Sequence, residues 1–279
     1  MTGLLVTLSE LDTLAGRVRL IDARWKLGAP EAGRAMFEQG HIPCAVYVDL
    51  DQALSDPPGL GGRHPLPTAE RFSLAMSRAG VDARTLVIAY DDGGAGAARL
   101  WWLLRHFGHA SVTVLDGGFG AWQASGRPIE TGAGHPPQPA QFEATPREAD
   151  MLDAETLRQA LERGEVHLLD ARAPERWRGD VEPVDSIPGR IPGAINAPAA
   201  DNLHNAFFRS PEELQRHYQA LGVLDGRPIV VACGSGVTAC VDLMALELAG
   251  INGARLFPDS YSGWIARGLP VETGTRPAR

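Results

Sequence analysis

The chain has 279 residues, enough for one large domain or two of ordinary size, and its 44% hydrophobic and 22% charged content suits a globular protein with a buried core. With 34 acidic against 26 basic side chains the formal charge is −8, which repels a phosphate backbone and argues against nucleic acid as a partner. No apolar run reaches the length of a membrane span, and the N-terminus MTGLLVTLSELDTL lacks the basic start of a signal peptide. Three cysteines (Cys44, Cys233 and Cys240) are too few for a disulfide framework. A reducing cytoplasm is the expected setting, with no membrane association.

Taken in chain order, the elements come in two copies. VRLIDAR at 18–24 returns at 166–172 as VHLLDAR, and GHIPCA at 40–45 returns at 189–194 as GRIPGA. Strands are expected over 86–90 and 112–115, with a helix over 96–107 between them. GFGAWQASGRPIE at 118–130 returns at 260–272 as SYSGWIARGLPVE, with Trp122 matching Trp264 and Pro128 matching Pro270. Three motifs kept in order identify a tandem duplication. The expected domains are 1–130 and 150–279, joined by a Pro-, Gly- and Ala-rich linker at 131–149 that reads as semi-extended.

In the second copy, strands are expected over 166–169 and 229–232. The pattern predicts a helix over 210–221, with Ser210 as N-cap, Pro211 at the first helical position and Glu213 closing a capping box. Another helix is expected over 237–249, stopping at Gly250. Strand–helix alternation implies an α/β fold in which each copy is a parallel sheet flanked by helices. Ligands of such sheets bind beyond the carboxyl ends of the strands, after Tyr90 and after Ala232.

At the second of these positions Cys233 ends a strand, and Gly234-Ser-Gly-Val-Thr238 leads into a helix. Glycines let successive N–H groups curl inward as an anion nest, and the helix N-terminus adds partial positive charge. Both favour a thiolate and would cradle a negative sulfur attached to it. The first copy has Asp91 where the second has Cys233, so only the second can run thiol chemistry. Cys240 and Cys44 read as structural. No metal-ligand spacing occurs among the eight histidines, and the Gly-rich stretch 92–96 lacks the Lys-Ser/Thr of a phosphate loop.

On these motifs together (the DAR pair, the GHIPCA pair, the tryptophan pair and the loop CGSGVT) the chain resembles the two-domain sulfurtransferases of the rhodanese superfamily. Its loop is similar to that of the 3-mercaptopyruvate branch. The resemblance implies a Cys233 persulfide as sulfur carrier, no organic cofactor, a small sulfur donor, and a thiol, reduced thioredoxin or cyanide as acceptor. It assigns Ser235, His64 and Asp51 to a proton-moving set, and Gly234, Gly236, Val237 and Thr238 to the substrate loop. Arg176 matches an arginine that holds the substrate anion, with Arg178 beside it as a competitor. A second arginine common in the branch is missing from 180–186, and Arg190 is the expected substitute. Thiosulfate as donor and a silent binding module are the rival readings. A cysteine phosphatase is excluded, because that chemistry wants an arginine at the end of the loop.

Overall fold

The computed structural model describes residues 3–14, 18–93 and 95–274. They form two compact units, the first drawn from Met1–Asp56, Leu66–Arg147 and Asn205–Phe208, the second from Pro57–Pro65, Glu148–His204 and Arg209–Arg279. Among the described residues, no helix is long and apolar enough to cross a membrane.

Unit 1 holds a five-stranded parallel sheet in the order Leu5–Val6, Val112–Leu115, Leu86–Tyr90, Val18–Asp22, Val46–Tyr47. Its central strand is apolar without alternation, because both faces are covered. Phe37, Ile42, Ile88, Tyr90, Leu115, Phe119 and Trp122 form one buried cluster. Unit 2 repeats the plan with four parallel strands in the order Arg255–Leu256, Ile229–Ala232, His167–Asp170, Ile195–Asn196. Its core includes Leu157, Leu168, Val230, Phe257, Tyr261 and Trp264, each such side chain contributing about 1.5–3 kcal/mol when fully buried.

The duplication extends to single hydrogen bonds. Asp22 holds Arg24, and Asp170 holds Arg172, each through an Nη2–Oδ2 contact of 2.6 Å. Arg24 Nη2 donates to Gly40 O at 2.6 Å and Arg172 Nη2 to Gly189 O at 2.8 Å, which ties each DAR motif to its GHIP or GRIP partner. The guanidiniums lie over Phe119 and Tyr261. Trp122 Nε1 donates to Pro128 O and Trp264 Nε1 to Pro270 O. These paired motifs are therefore internal struts of the two sheets.

Helix Pro211–Ala220 starts on a complete capping box between Ser210 and Glu213. The next helix, Ala239–Leu248, begins two residues later than its apolar spacing predicts, because Val237 and Thr238 belong to the turn that leaves the strand. It ends at Gly250 (φ +77°), with Gly250 N–H on Glu247 O and Ile251 N–H on Leu246 O. The Pro-rich stretch after residue 130 is extended but strapped onto unit 1. Ala140 N–H donates to Ser77 O, Ala144 N–H to Ser73 Oγ and Thr145 N–H to Phe107 O, while Phe142 is buried edge-on to Phe72. Its backbone needs these partners once Phe142 leaves water.

Candidate active site

Unit 2 places Cys233 at the carboxyl end of strand Ile229–Ala232, buried to 2% exposure. The loop then turns through Gly236, whose φ of +78° suits glycine and whose added Cβ would meet Pro258 O at 2.4 Å. This turn brings Gly236 N–H onto Cys233 Sγ at 3.1 Å, a donor aimed at the sulfur. The segment 260–262 fixes the loop from the side. Tyr261 N–H donates to Cys233 O and Ser262 N–H to Gly234 O, while Ser260 Oγ accepts from Cys233 N–H at 3.0 Å. Ser260 takes a left-handed φ of +52° to do so, where unit 1 has Gly118 at φ +57°. Val237 is buried beneath the loop, and Thr238 heads the helix without a side-chain cap.

Two residues past the thiol, Ser235 Oγ lies 2.7 Å from His64 Nδ1, and both side chains are buried. His64 arrives on the segment 57–65, which precedes most of unit 1 in sequence yet belongs to unit 2. Arg63 N–H donates to Ser262 Oγ, and the Arg63 guanidinium pairs with Asp185. Arg176, on helix Pro174–Arg178, forks onto Glu182 at 2.7 and 3.2 Å and reaches Asp185 at 3.1 Å. Burial works against the Glu182 carboxylate, but Arg176 and the N–H groups of Asp185 and Val184 hold its pKa below the usual glutamate value. At Asp185 burial wins: despite Arg63 and Arg176, desolvation with the nearby Glu182 charge raises its pKa.

Arg190 does not supply the second charge expected of it. It is fully buried, with Nη2 on Glu272 at 2.7 Å, Nη1 on Gly274 O at 2.6 Å and its guanidinium 3.9 Å from the centre of the Trp177 ring. Its backbone also bridges Glu272, as His41 bridges Glu130 in unit 1. The position is a repeat-wide latch, so the arginine is structural. Arg178 pairs with Asp180 on the surface. Asp51 lies in unit 1 on helix Leu50–Ala53, accepting from Trp25 Nε1 at 3.1 Å. Cys240, on helix Ala239–Leu248, gives its S–H to the loop carbonyl of Gly236, and Cys44 is exposed at a left-handed turn whose N–H meets Glu130.

In unit 1 the nest holds a carboxylate instead of a thiol. Asp91 Oδ1 accepts from Gly93 N–H and Oδ2 from Ala97 N–H, both at 2.9 Å. Among the described residues no group of three or more His, Cys, Asp or Glu could hold a metal ion. Sequence reasoning passed over Arg63, Asp185 and Ser260. The one available signal was that Arg63 directly precedes His64.

The rhodanese-like domain family matches residues 7–125 and 153–267, both copies of the unit. The chain belongs to the rhodanese family. A probable 3-mercaptopyruvate sulfurtransferase from Pseudomonas aeruginosa is 43% identical over 276 residues, covering 96% of this chain and 94% of that one. A Mycobacterium tuberculosis relative that carries a thiosulfate sulfurtransferase name is 41% identical over 281 residues, covering 97% of each chain. The crystal structure of SseA from Escherichia coli, described among 3-mercaptopyruvate sulfotransferases, aligns with TM-score 0.82 and 31% identity. That alignment covers 94% of this rhodanese chain and all of the other. The α/β architecture, two parallel sheets flanked by helices, is thus the rhodanese fold in duplicate.

Proposed function

We propose that this protein is a sulfurtransferase that takes sulfur from 3-mercaptopyruvate onto Cys233 and passes it on from a persulfide. A thiol, thioredoxin or cyanide is the acceptor. The observation that carries the donor is the Ser235–His64 hydrogen bond beside the thiol. The Cys233 thiolate attacks the donor sulfur, an S–S bond forms, and the C–S bond breaks with its electron pair on the pyruvate enolate. That enolate needs a proton, which Ser235 backed by His64 can deliver. The donor's thiol proton restores the pair, leaving pyruvate and a persulfide anion. The Gly236 N–H and the helix N-terminus favour that anion. Asp91, in place of the thiol, makes unit 1 the non-catalytic copy.

Thiosulfate cleavage releases sulfite, which leaves without a proton and makes no use of the Ser235–His64 pair. Arg63 and Arg176 are balanced by Glu182 and Asp185, which suits a monoanion better than a dianion. Thiosulfate is the second reading, favoured by the two guanidiniums and by the name of the Mycobacterium relative. Rates with both donors, measured side by side, decide between them. Mercaptopyruvate is expected to lead in kcat/KM by about tenfold or more, equivalent to about 1.4 kcal/mol. Equal or better thiosulfate efficiency overturns the donor, and no added sulfur on the Cys233 peptide from either donor overturns sulfur transfer.

A further inference from the structure

A thiol that must react cannot be held by its reacting atom, so its direction has to be set through the backbone that carries it. In unit 1 the residue at this place anchors itself, because Asp91 spends both carboxylate oxygens on the N–H groups of Gly93 and Ala97. Cys233 has a sulfur instead, which must stay free to attack. We infer that Ser260 is the positioning residue of Cys233, fixing the nucleophile's backbone so that its sulfur stays on the loop, an inference that rests on the sulfur-transfer reading.

Three observations carry it. First, Ser260 Oγ accepts from Cys233 N–H at 3.0 Å and donates to Phe257 O at 3.0 Å. Its one proton is thereby committed, so the oxygen faces Cys233 as an acceptor and lends the sulfur no proton. The next residue takes the other backbone group, with Tyr261 N–H on Cys233 O at 3.0 Å, so two adjacent residues hold both sides of the nucleophile. Second, Ser260 is left-handed at φ +52°, and of the four described non-glycine residues with positive φ it is the one fully buried. That backbone is unfavourable for a residue with a Cβ, and its use beside a reactive group points to work for the side chain. Third, the matching position in unit 1 is Gly118 at φ +57°, where a Cβ would stand 2.0 Å from Asp91 O. Glycine thus suffices for the turn, and the copy with the thiol carries a hydroxyl there that reaches the nucleophile. Without that acceptor the buried Cys233 N–H is unsatisfied unless its peptide rotates, and rotation swings Sγ off the Gly236 N–H.

The test uses the full chain with Ser260→Ala, which keeps the left-handed strain and removes the acceptor, and with Ser260→Gly, which removes both. Each variant is expected to lose about tenfold in kcat with mercaptopyruvate while KM stays within about twofold, since the reacting residue is disturbed and substrate binding is not. Alkylation of Cys233 by iodoacetamide, which needs no sulfur donor, should slow about threefold or more in both. Ser260→Gly should melt no lower than Ser260→Ala, because glycine takes this backbone freely. A Ser260→Gly variant with wild-type kcat and alkylation would reduce Ser260 to a turn residue and overturn the inference. A loss carried by KM alone would overturn it too. If Ser260→Ala does not fold, Ser260→Gly decides by the same readouts. Slower alkylation in the variants, beside a wild type that takes no sulfur from mercaptopyruvate or thiosulfate, would sink the function while leaving Ser260 as positioning residue.

Discussion

Two thiols seven residues apart in sequence meet opposite surroundings. Cys233 Sγ accepts an N–H from the loop, whereas Cys240, in the following helix, donates its S–H back to the loop carbonyl of Gly236. Cys233→Ser is therefore expected to abolish sulfur transfer from every donor, and Cys240→Ser to keep most of it. Peptide mass spectrometry after donor treatment checks this, and added sulfur on Cys240 with none on Cys233 would refute it. Arg176 is the proposed anion holder, and its fork on Glu182 and Asp185 keeps it beside Gly234. Arg176→Ala should raise the KM for mercaptopyruvate about tenfold or more, the loss of a charge-assisted pair worth about 1.5–3 kcal/mol. An unchanged KM would reduce Arg176 to a structural partner of Glu182.

At the scale of elements, helix Ala239–Leu248 is largely apolar because it is buried from Ala239 through Leu246. Of its two acidic residues, Asp242 and Glu247, Asp242 is fully buried with Oδ1 on Asn202 Nδ2 at 2.8 Å, and burial holds its pKa well above the usual carboxylate value. A raised folded pKa means that ionisation opposes folding, so its contribution is most favourable below the unfolded value and is lost as pH rises through the folded one. Asp242→Asn, which cannot ionise, should therefore gain more Tm over wild type at pH 8 than at pH 5. A gain larger at pH 5 would contradict the assignment. The caps of this helix and of Pro211–Ala220 follow from local residues, since Ser210, Glu213 and Gly250 satisfy end groups within a few positions. The later start at Ala239 does not, because the loop's turn takes Val237 and Thr238 from a stretch whose spacing is helical.

Across the whole molecule, one unit kept the thiol and the other filled the same nest with its own side chain. Asp91 satisfies two N–H groups that would otherwise await an anion, and Phe119 N–H closes on Asp91 O as Tyr261 N–H closes on Cys233 O. Asp91→Cys should thus cost about 1–3 kcal/mol by stripping buried donors of their acceptor. It should add no second transferable sulfur, because the loop 92–96 has no serine where the second copy has Ser235. Thermal unfolding and the number of sulfurs carried per chain test both halves, and two sulfurs per chain would show that the nest alone makes the activity.

The duplication, the strands at 86–90, 112–115 and 229–232 and the strand–Cys233–helix turn were all legible in the chain, because periodicity, caps and repeats are local or self-similar signals. Three features were decided by tertiary structure. Arg190 was taken by Glu272, 82 residues away; Arg63 came to Asp185 across 122; and His64 came to Ser235 across 171. Charge pairing and side-chain hydrogen bonds act over a few ångströms of space with no regard for chain distance, so spacing could name candidate arginines but not assign them. Likewise, composition made 131–149 a linker, while the strapping of that segment onto unit 1 rests on where its backbone N–H groups and Phe142 found partners.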